Sequence, residues 1–171
     1  YGGSGTDFAY FVQQTAEGGY IVAGFTRSFG ESNGDAWLLK LDQDGNVTWQ
    51  KTYGSTGTES ANSIQQTSDG GYIVAGTTTT FSTGPRDAWL LKLDQDGNVT
   101  WQKTYGGIDY DLIFFIQQTT DGGYIAAGIT SSFGAGAQDA WLLKLDEHGS
   151  TGSCPFERTS TAGTTITTVT G

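Results

Sequence analysis

The sequence is poor in the residues that most catalytic sites use. Its 171 residues include one histidine (His148), one cysteine (Cys154) and no methionine. His148 and Cys154 lie six residues apart beside a predicted turn, and no third group is evident to orient the imidazole for a Cys–His nucleophile pair. A single thiol cannot form an internal disulfide, so the cysteine content does not indicate the redox compartment. We therefore expect no catalytic residue and no enzymatic activity.

Positive charge is also scarce. Only 8 lysine and arginine residues oppose 18 aspartate and glutamate residues, which gives a formal net charge of −10. A phosphate backbone or an anionic membrane would repel such a chain, so nucleic acid is not an expected partner. No apolar run approaches the ~18 residues that could span a bilayer, so no membrane insertion is expected. Because the chain does not begin with methionine, we expect it to be a portion of a longer product.

An internal repeat determines the predicted architecture. The segment Asp-Ala-Trp-Leu-Leu-Lys-Leu-Asp occurs three times, at 35–42, 87–94 and 139–146, with a spacing of 52 residues. The repeat units are 1–52, 53–104 and 105–158, the last with a divergent end, and a threonine-rich tail follows at 159–171. With 27 glycines and 15% charged residues, the composition is typical of a turn-rich, all-β protein.

The middle unit predicts four short strands. Ser68-Asp69-Gly70-Gly71 and Gln95-Asp96-Gly97-Asn98 are turn sequences between β-branched or alternating segments. Four strands joined as an up-and-down meander are typical of a β-propeller blade, and the β-trefoil, which also uses three four-stranded units, is the alternative. Because Trp37, Trp89 and Trp141 recur in every unit, we expect them to be buried in packing between or within blades.

The repeats resemble those of bacterial and archaeal surface proteins. The matching residues are Asp69 to Gly76 and the segment that runs from Asp87 to Tyr105. The first unit departs mildly with Glu17, and the third with Ala126. The resemblance covers residues 1 to about 149 and implies propeller-like blades in an extracellular or cell-surface protein, with no defined catalytic residues.

The third unit is predicted to lack one outer strand. Ser150 to Phe156 stands where the other units carry Val-Thr-Trp-Gln-Lys-Thr. An unpaired sheet edge is a template for another strand. We expect it to be covered by a neighbouring blade or a second copy of the chain, or by the tail segment 164–170 folding back. A charge-free threonine-rich tail is otherwise typical of an exported linker.

Two turn features suggest binding or modification. Asp42, Asp44, Asp94 and Asp96 place oxygen ligands at alternate positions, as at the start of a calcium loop. The acid required at the twelfth position is replaced by Tyr53 or Tyr105, so turn formation is the favoured interpretation, and calcium is the one cofactor considered. Asn46 and Asn98 begin Asn-Val-Thr acceptor sites for glycosylation.

The favoured function is a non-enzymatic extracellular or cell-surface repeat domain for adhesion, scaffolding or self-assembly. Its expected partners are other copies of itself or further repeats. A carbohydrate-binding lectin is the alternative, with glycans as partners. The candidate ligand-binding residues for a lectin lie in the variable loops 27–34, 79–86 and 131–138, and they are Arg27, Phe29, Phe81, Arg86 and Phe133.

Overall fold

The structure, a computed structural model, describes residues 1–30, 33–152, 157–158 and 165–168. These residues are all-β and include no helix, and therefore none that is long and apolar enough to cross a membrane.

Each repeat unit is an antiparallel meander with its own sheet. Unit 1 contains β1 (Asp7–Gln14), β2 (Tyr20–Thr26), β3 (Asp35–Leu41) and β4 (Val47–Gly54). Unit 2 contains β5 (Glu59–Gln66), β6 (Tyr72–Thr78), β7 (Asp87–Leu93) and β8 (Val99–Tyr105). Unit 3 contains β9 (Asp111–Gln118), β10 (Tyr124–Thr130) and β11 (Asp139–Leu145). The predicted fold class is confirmed.

Side chains of the turn residues hold the hairpins closed. In the turn between β7 and β8, Asp94 Oδ1 accepts hydrogen bonds from the backbone N–H groups of Asp96 (2.9 Å) and Asn98 (2.8 Å). Gly97 follows with φ +75°, a backbone conformation that glycine adopts without steric cost. These bonds reverse the chain within a few residues, and β7 and β8 pair antiparallel with a register shift beside the turn, between Lys92 and Leu93.

In every unit, the first strand carries a β-bulge opposite a glycine of the second strand. In unit 2, Ala61 pairs with Gly76 and Ser63 with Ala75, so Asn62 is the extra residue. A Cβ at Gly76 would overlap the carbonyl oxygen of Ser60, and Gly24 and Gly128 are in the same situation. The glycine is therefore required for close approach of the two strands.

The units pack face to face through apolar residues. One buried cluster joins units 1 and 2 and includes Leu38 and Ile64, and a second joins units 2 and 3 and includes Leu90 and Ile116. The predicted burial of the repeated tryptophans is confirmed, since Trp37, Trp89 and Trp141 are 3%, 1% and 7% exposed. The inner strand β5 contacts β1 and β2, and β9 contacts β5 and β6. Separate sheets packed in this way are arranged as propeller-like blades rather than as the shared barrel of a trefoil.

The repeated Gln-Gln pair clamps successive units together at their inner strands. Between units 1 and 2, Gln13 Oε1 accepts a hydrogen bond from the backbone N–H of Gln66 (2.7 Å). Gln66 Oε1 in turn accepts one from the backbone N–H of Ala16 (2.8 Å). The same two bonds join units 2 and 3 through Gln65, Gln118 and Ser68. The role of these glutamines was not predicted from the sequence, although their identical recurrence was a signal of one.

The third unit has three strands among the described residues, as predicted, but residues 165–168 of the tail do not cover its edge. The short strand β13 (Thr165–Thr168) pairs with β4 of unit 1, and β12 (Glu157–Arg158) pairs with β8 of unit 2. The expectation that segment 164–170 could close the edge of unit 3 is therefore wrong for residues 165–168. These four residues form an edge strand rather than a linker, because threonine and isoleucine suit a sheet. The remaining tail residues and Cys154 lie outside the described residues.

Candidate functional site: junction clefts and open end faces

A cleft opens at each junction between units, and the two clefts are built from equivalent positions. The larger one, of about 680 Å³, lies between units 2 and 3, and we call it cleft B. Cleft A, of about 630 Å³, lies between units 1 and 2. Both are at the rim that carries the turns between first and second and between third and fourth strands. They therefore lie opposite the rim of the variable loops.

An aromatic pair crosses each junction at the cleft. In cleft B, the rings of Trp101 and Tyr124 meet edge to face with centroids 6.0 Å apart. In cleft A, Trp49 and Tyr72 make the same contact at 6.1 Å. The tryptophans are half-buried, whereas Tyr72 and Tyr124 are 1% and 2% exposed. Each cleft thus combines a buried tyrosine with an indole that solvent reaches.

A lysine–carboxylate ion pair forms part of each cleft wall. In cleft B, Lys92 Nζ lies 2.8 Å from Asp69 Oδ2. Burial by itself raises the pKa of Asp69, but hydrogen bonds from Lys92 and Thr67 outweigh it and lower the pKa to about 2. In cleft A, Lys40 Nζ lies 2.5 Å from Glu17 Oε1, and this hydrogen bond lowers the pKa of Glu17 to about 2. Both carboxylates are therefore ionised at neutral pH.

Of the four carboxylates considered for calcium, those of Asp42 and Asp94 accept hydrogen bonds within their turns, whereas Asp44 and Asp96 donate their backbone N–H groups. The side chain of Asp42 accepts bonds from Asp44 and Asn46 just as Asp94 does from Asp96 and Asn98. The residues that the structure describes contain no group of three or more acidic, histidine or cysteine side chains placed to hold a metal ion. These hydrogen bonds are those of a turn, and calcium binding stays a prediction.

The two asparagines of the glycosylation motifs are exposed but hydrogen-bonded. Asn46 Nδ2 donates to Asp42 Oδ2 (3.0 Å), and Asn98 Nδ2 donates to Asp94 Oδ2 (2.9 Å). Asn98 Oδ1 also accepts a bond from Lys51 Nζ (3.0 Å). Because Nδ2 carries two hydrogens, this single bond does not exclude attachment of a glycan. Glycosylation stays a prediction.

The residues predicted to form ligand-binding loops do not meet in one pocket. The three phenylalanines pack on the repeated tryptophans, with ring centroids 5.8, 5.8 and 6.0 Å apart for Phe29–Trp37, Phe81–Trp89 and Phe133–Trp141. The guanidinium of Arg27 lies over the ring of Phe25, 5.7 Å from its centroid. Arg86 lines a different depression with Tyr10 and Phe114. The three loop phenylalanines therefore contribute to the packing of their own blades.

The isolated histidine is a surface residue. His148 Nε2 lies 3.7 Å from Glu147 Oε1, and the two side chains are 79% and 72% exposed. Both residues border cleft B. No arrangement typical of a nucleophile with an oriented base surrounds His148 in the described part of the chain.

The outward face of unit 3 is an exposed copy of a surface that is buried at both junctions. Leu142 is 71% exposed, whereas its counterparts Leu38 and Leu90 are both 0% exposed. Ala140 is exposed as well, while Ala88 at the same position of unit 2 is buried. We call this surface, formed by Ala140, Leu142 and the adjacent β10 positions 125 and 127, the unit 3 end face.

The outward face of unit 1 is the matching half of a junction, and it is open at the inner strand. Val12 is 61% exposed, whereas its counterparts Ile64 and Ile116 are 0% and 7% exposed. Ala9 is exposed too, although Ala61 is buried. We call the surface of Ala9 and Val12 the unit 1 end face. Trp37, Leu39 and Leu41 are buried in a cluster of their own, although their counterparts Trp89, Leu91 and Leu93 pack at the junction, so only the inner-strand part of this face is open.

Each end of the three described units carries one glutamine whose counterparts form the clamps at the junctions. Gln117 corresponds to the acceptors Gln13 and Gln65, and Gln14 corresponds to Gln66 and Gln118. Both Gln14 and Gln117 are exposed. The two end faces therefore carry complementary polar groups as well as complementary apolar ones.

No protein-family model matches the chain, and no curated protein matches it. The resemblance to surface-protein repeats therefore stays a prediction.

Proposed function

We propose that the chain is a non-enzymatic assembly module of an extracellular or cell-surface scaffold. The unit 3 end face of one copy packs on the unit 1 end face of a second copy. The supporting observation is Leu142, which is 71% exposed in a register position that is fully buried in both other units. A contiguous apolar surface of this kind marks an interaction site.

Complementarity between the two end faces selects the second copy as partner. At the existing junctions, Leu38 lies in one buried cluster with Ile64, and Leu90 lies in one with Ile116. Leu142 of one copy and Val12 of another would repeat this contact, while Gln117 and Gln14 would complete the clamp. Two copies joined at both ends form a ring of six blades, within the range of about four to eight blades seen in closed propellers.

Sedimentation velocity of the purified chain over a range of concentrations tests this proposal. We expect a dimer or larger species for the unaltered chain and a folded monomer for Leu142→Lys, because a charge at the centre of the buried contact is not paired. Ile108→Lys is the matched control, since Ile108 is 81% exposed in a loop away from the end faces, and we expect it to associate normally. A monomer at every concentration, or normal association of Leu142→Lys, would refute the proposal.

A further inference from the structure

Each junction cleft contains a nearly buried tyrosine whose hydroxyl lacks a partner. Tyr124 is 2% exposed, and within residues 1–30 and 33–152 its hydroxyl makes no hydrogen bond. Burial raises the pKa of Tyr124 to about 12, with the negative charges of Asp69 and Glu147 adding to the effect. Both carboxylates line cleft B together with Tyr124. Solvent reaches this hydroxyl, and a ligand that supplies an acceptor can replace water as its partner.

The indole beside it provides an apolar surface and a second donor. Trp101 is half-buried, it lines cleft B, and its N–H has no partner among the described residues. Aromatic rings with a polar handle are suited to ligands that are apolar on one face and polar at their edges. The cleft therefore offers stacking and hydrogen bonding within one small volume.

The charges of cleft B favour a neutral ligand. Lys92 is already neutralised by Asp69. The exposed carboxylates at the mouth, those of Asp96 and Glu147, would repel an anion. The same carboxylates would attract a cation, but an ammonium group offers no acceptor to the hydroxyl of Tyr124 or to the N–H of Trp101. A ligand with several hydroxyl groups can instead donate to the carboxylates and accept from Tyr124 and Trp101.

We propose that clefts A and B each bind a neutral saccharide unit. Cleft A repeats the donors and the ion pair with Trp49, Tyr72, Lys40 and Glu17. Burial raises the pKa of Tyr72 to about 12, and Glu17 contributes to this shift. The chain thus carries two equivalent sites, at the rim opposite the loops where sequence reasoning placed a lectin site. These sites lie away from the end faces and do not depend on assembly.

A glycan array that displays neutral and sialylated oligosaccharides tests the proposal, followed by calorimetric titration with the neutral oligosaccharide that gives the strongest signal. We expect saturable binding of a neutral glycan with two sites per chain. Tyr124→Phe removes only the hydroxyl and should weaken one of the two sites by about fivefold to tenfold, as expected for one lost hydrogen bond. Tyr72→Phe should do the same at the other site, and the double variant should weaken both.

Controls separate the site from folding and from assembly. Tyr110→Phe is the matched control, because Tyr110 is 51% exposed and outside both clefts, and its binding should equal that of the unaltered chain. The Leu142→Lys variant should retain both sites. The proposal is overturned if no neutral glycan on the array binds, if only sialylated glycans bind, or if the Tyr72→Phe/Tyr124→Phe variant binds as the unaltered chain does.

Discussion

Asp87 opposes the stability of the fold in which it sits. Its Oδ2 accepts a hydrogen bond from the backbone N–H of Thr83 (2.8 Å), but its buried Oδ1 has no partner among the described residues. This Oδ1 and Asp111 Oδ2 lie 2.7 and 2.8 Å from the position that a Cβ of Gly106 would take, so the two carboxylates face each other. Burial raises the pKa of Asp87 and the charge of Asp111 adds to it, although the bonds from Thr83 act in the opposite direction.

Replacing Asp87 by asparagine should therefore stabilise the protein at pH 7. The side-chain amide can keep the bond from Thr83 and donate its N–H toward Asp111, which we expect to raise the free energy of unfolding by on the order of 1 kcal/mol. Because the folded pKa is raised, the folded state binds the proton more tightly than the unfolded state. The penalty of Asp87 therefore disappears as pH falls through the folded pKa toward the unfolded value of about 4. Urea denaturation at several pH values should show the advantage of Asp87→Asn shrinking in acid.

Asp69→Asn is a control that should change the stability at pH 7 in the opposite direction. The pKa of Asp69 is lowered to about 2, so its ion pair with Lys92 stabilises the fold above about pH 4 and is lost as pH falls toward 2. We expect this variant to be less stable than the unaltered chain at pH 7 and equal to it near pH 2. If Asp87→Asn were also destabilising at pH 7, the carboxylate at position 87 would be favourable and our account of it wrong.

The bulged hairpin of the first two strands leaves no room for a side chain at its glycine. Gly76 faces the carbonyl oxygen of Ser60 at the bulge, and the same contact recurs at Gly24 and Gly128. A side chain at this position cannot rotate away, because its Cβ is fixed by the backbone. An added Cβ would therefore push the two strands apart and disrupt the bulge.

Gly76→Ala should lower the free energy of unfolding by about 2 kcal/mol or more, the cost of forcing extra atoms into a packed element. Gly70→Ala is the matched control. Gly70 has φ +82° with open space around its Cβ position, so that variant carries only the backbone cost of about 1 kcal/mol. Chemical denaturation of both variants measures the difference. Equal losses would show that the close approach at Gly76 relaxes freely.

The elements were largely predictable from the sequence, whereas their junctions were not. Trp89 and the Asp94 turn could be assigned because a 52-residue period, alternation and turn chemistry act locally. The clamp by Gln66 and the cleft at Tyr124 could not, because they form only when residues about 50 apart in the chain meet across a junction. The destination of residues 165–168 was also missed, since several sheet edges were available and threonine suits any of them.

At the scale of the whole molecule, the exposed end faces determine how copies can be arranged. A contact between Leu142 of one copy and Val12 of another is head to tail, and two such contacts close a ring. A contact between two Leu142 surfaces would instead be a symmetric pair that buries one end and leaves the other open. Both arrangements give a dimer, so particle mass alone does not distinguish them.

Mixing two variants that are each monomeric on their own distinguishes these arrangements. Val12→Glu and Leu142→Lys should each be monomeric, because every head-to-tail contact in the pure protein then contains one unpaired charge. In a one-to-one mixture, one contact pairs unaltered Leu142 with unaltered Val12, and the other pairs the introduced lysine with the introduced glutamate, which attract each other. We therefore expect sedimentation velocity to show a mixed dimer. A symmetric Leu142 contact predicts instead that Val12→Glu dimerises alone and that mixing rescues nothing, and that result would exclude the six-blade ring.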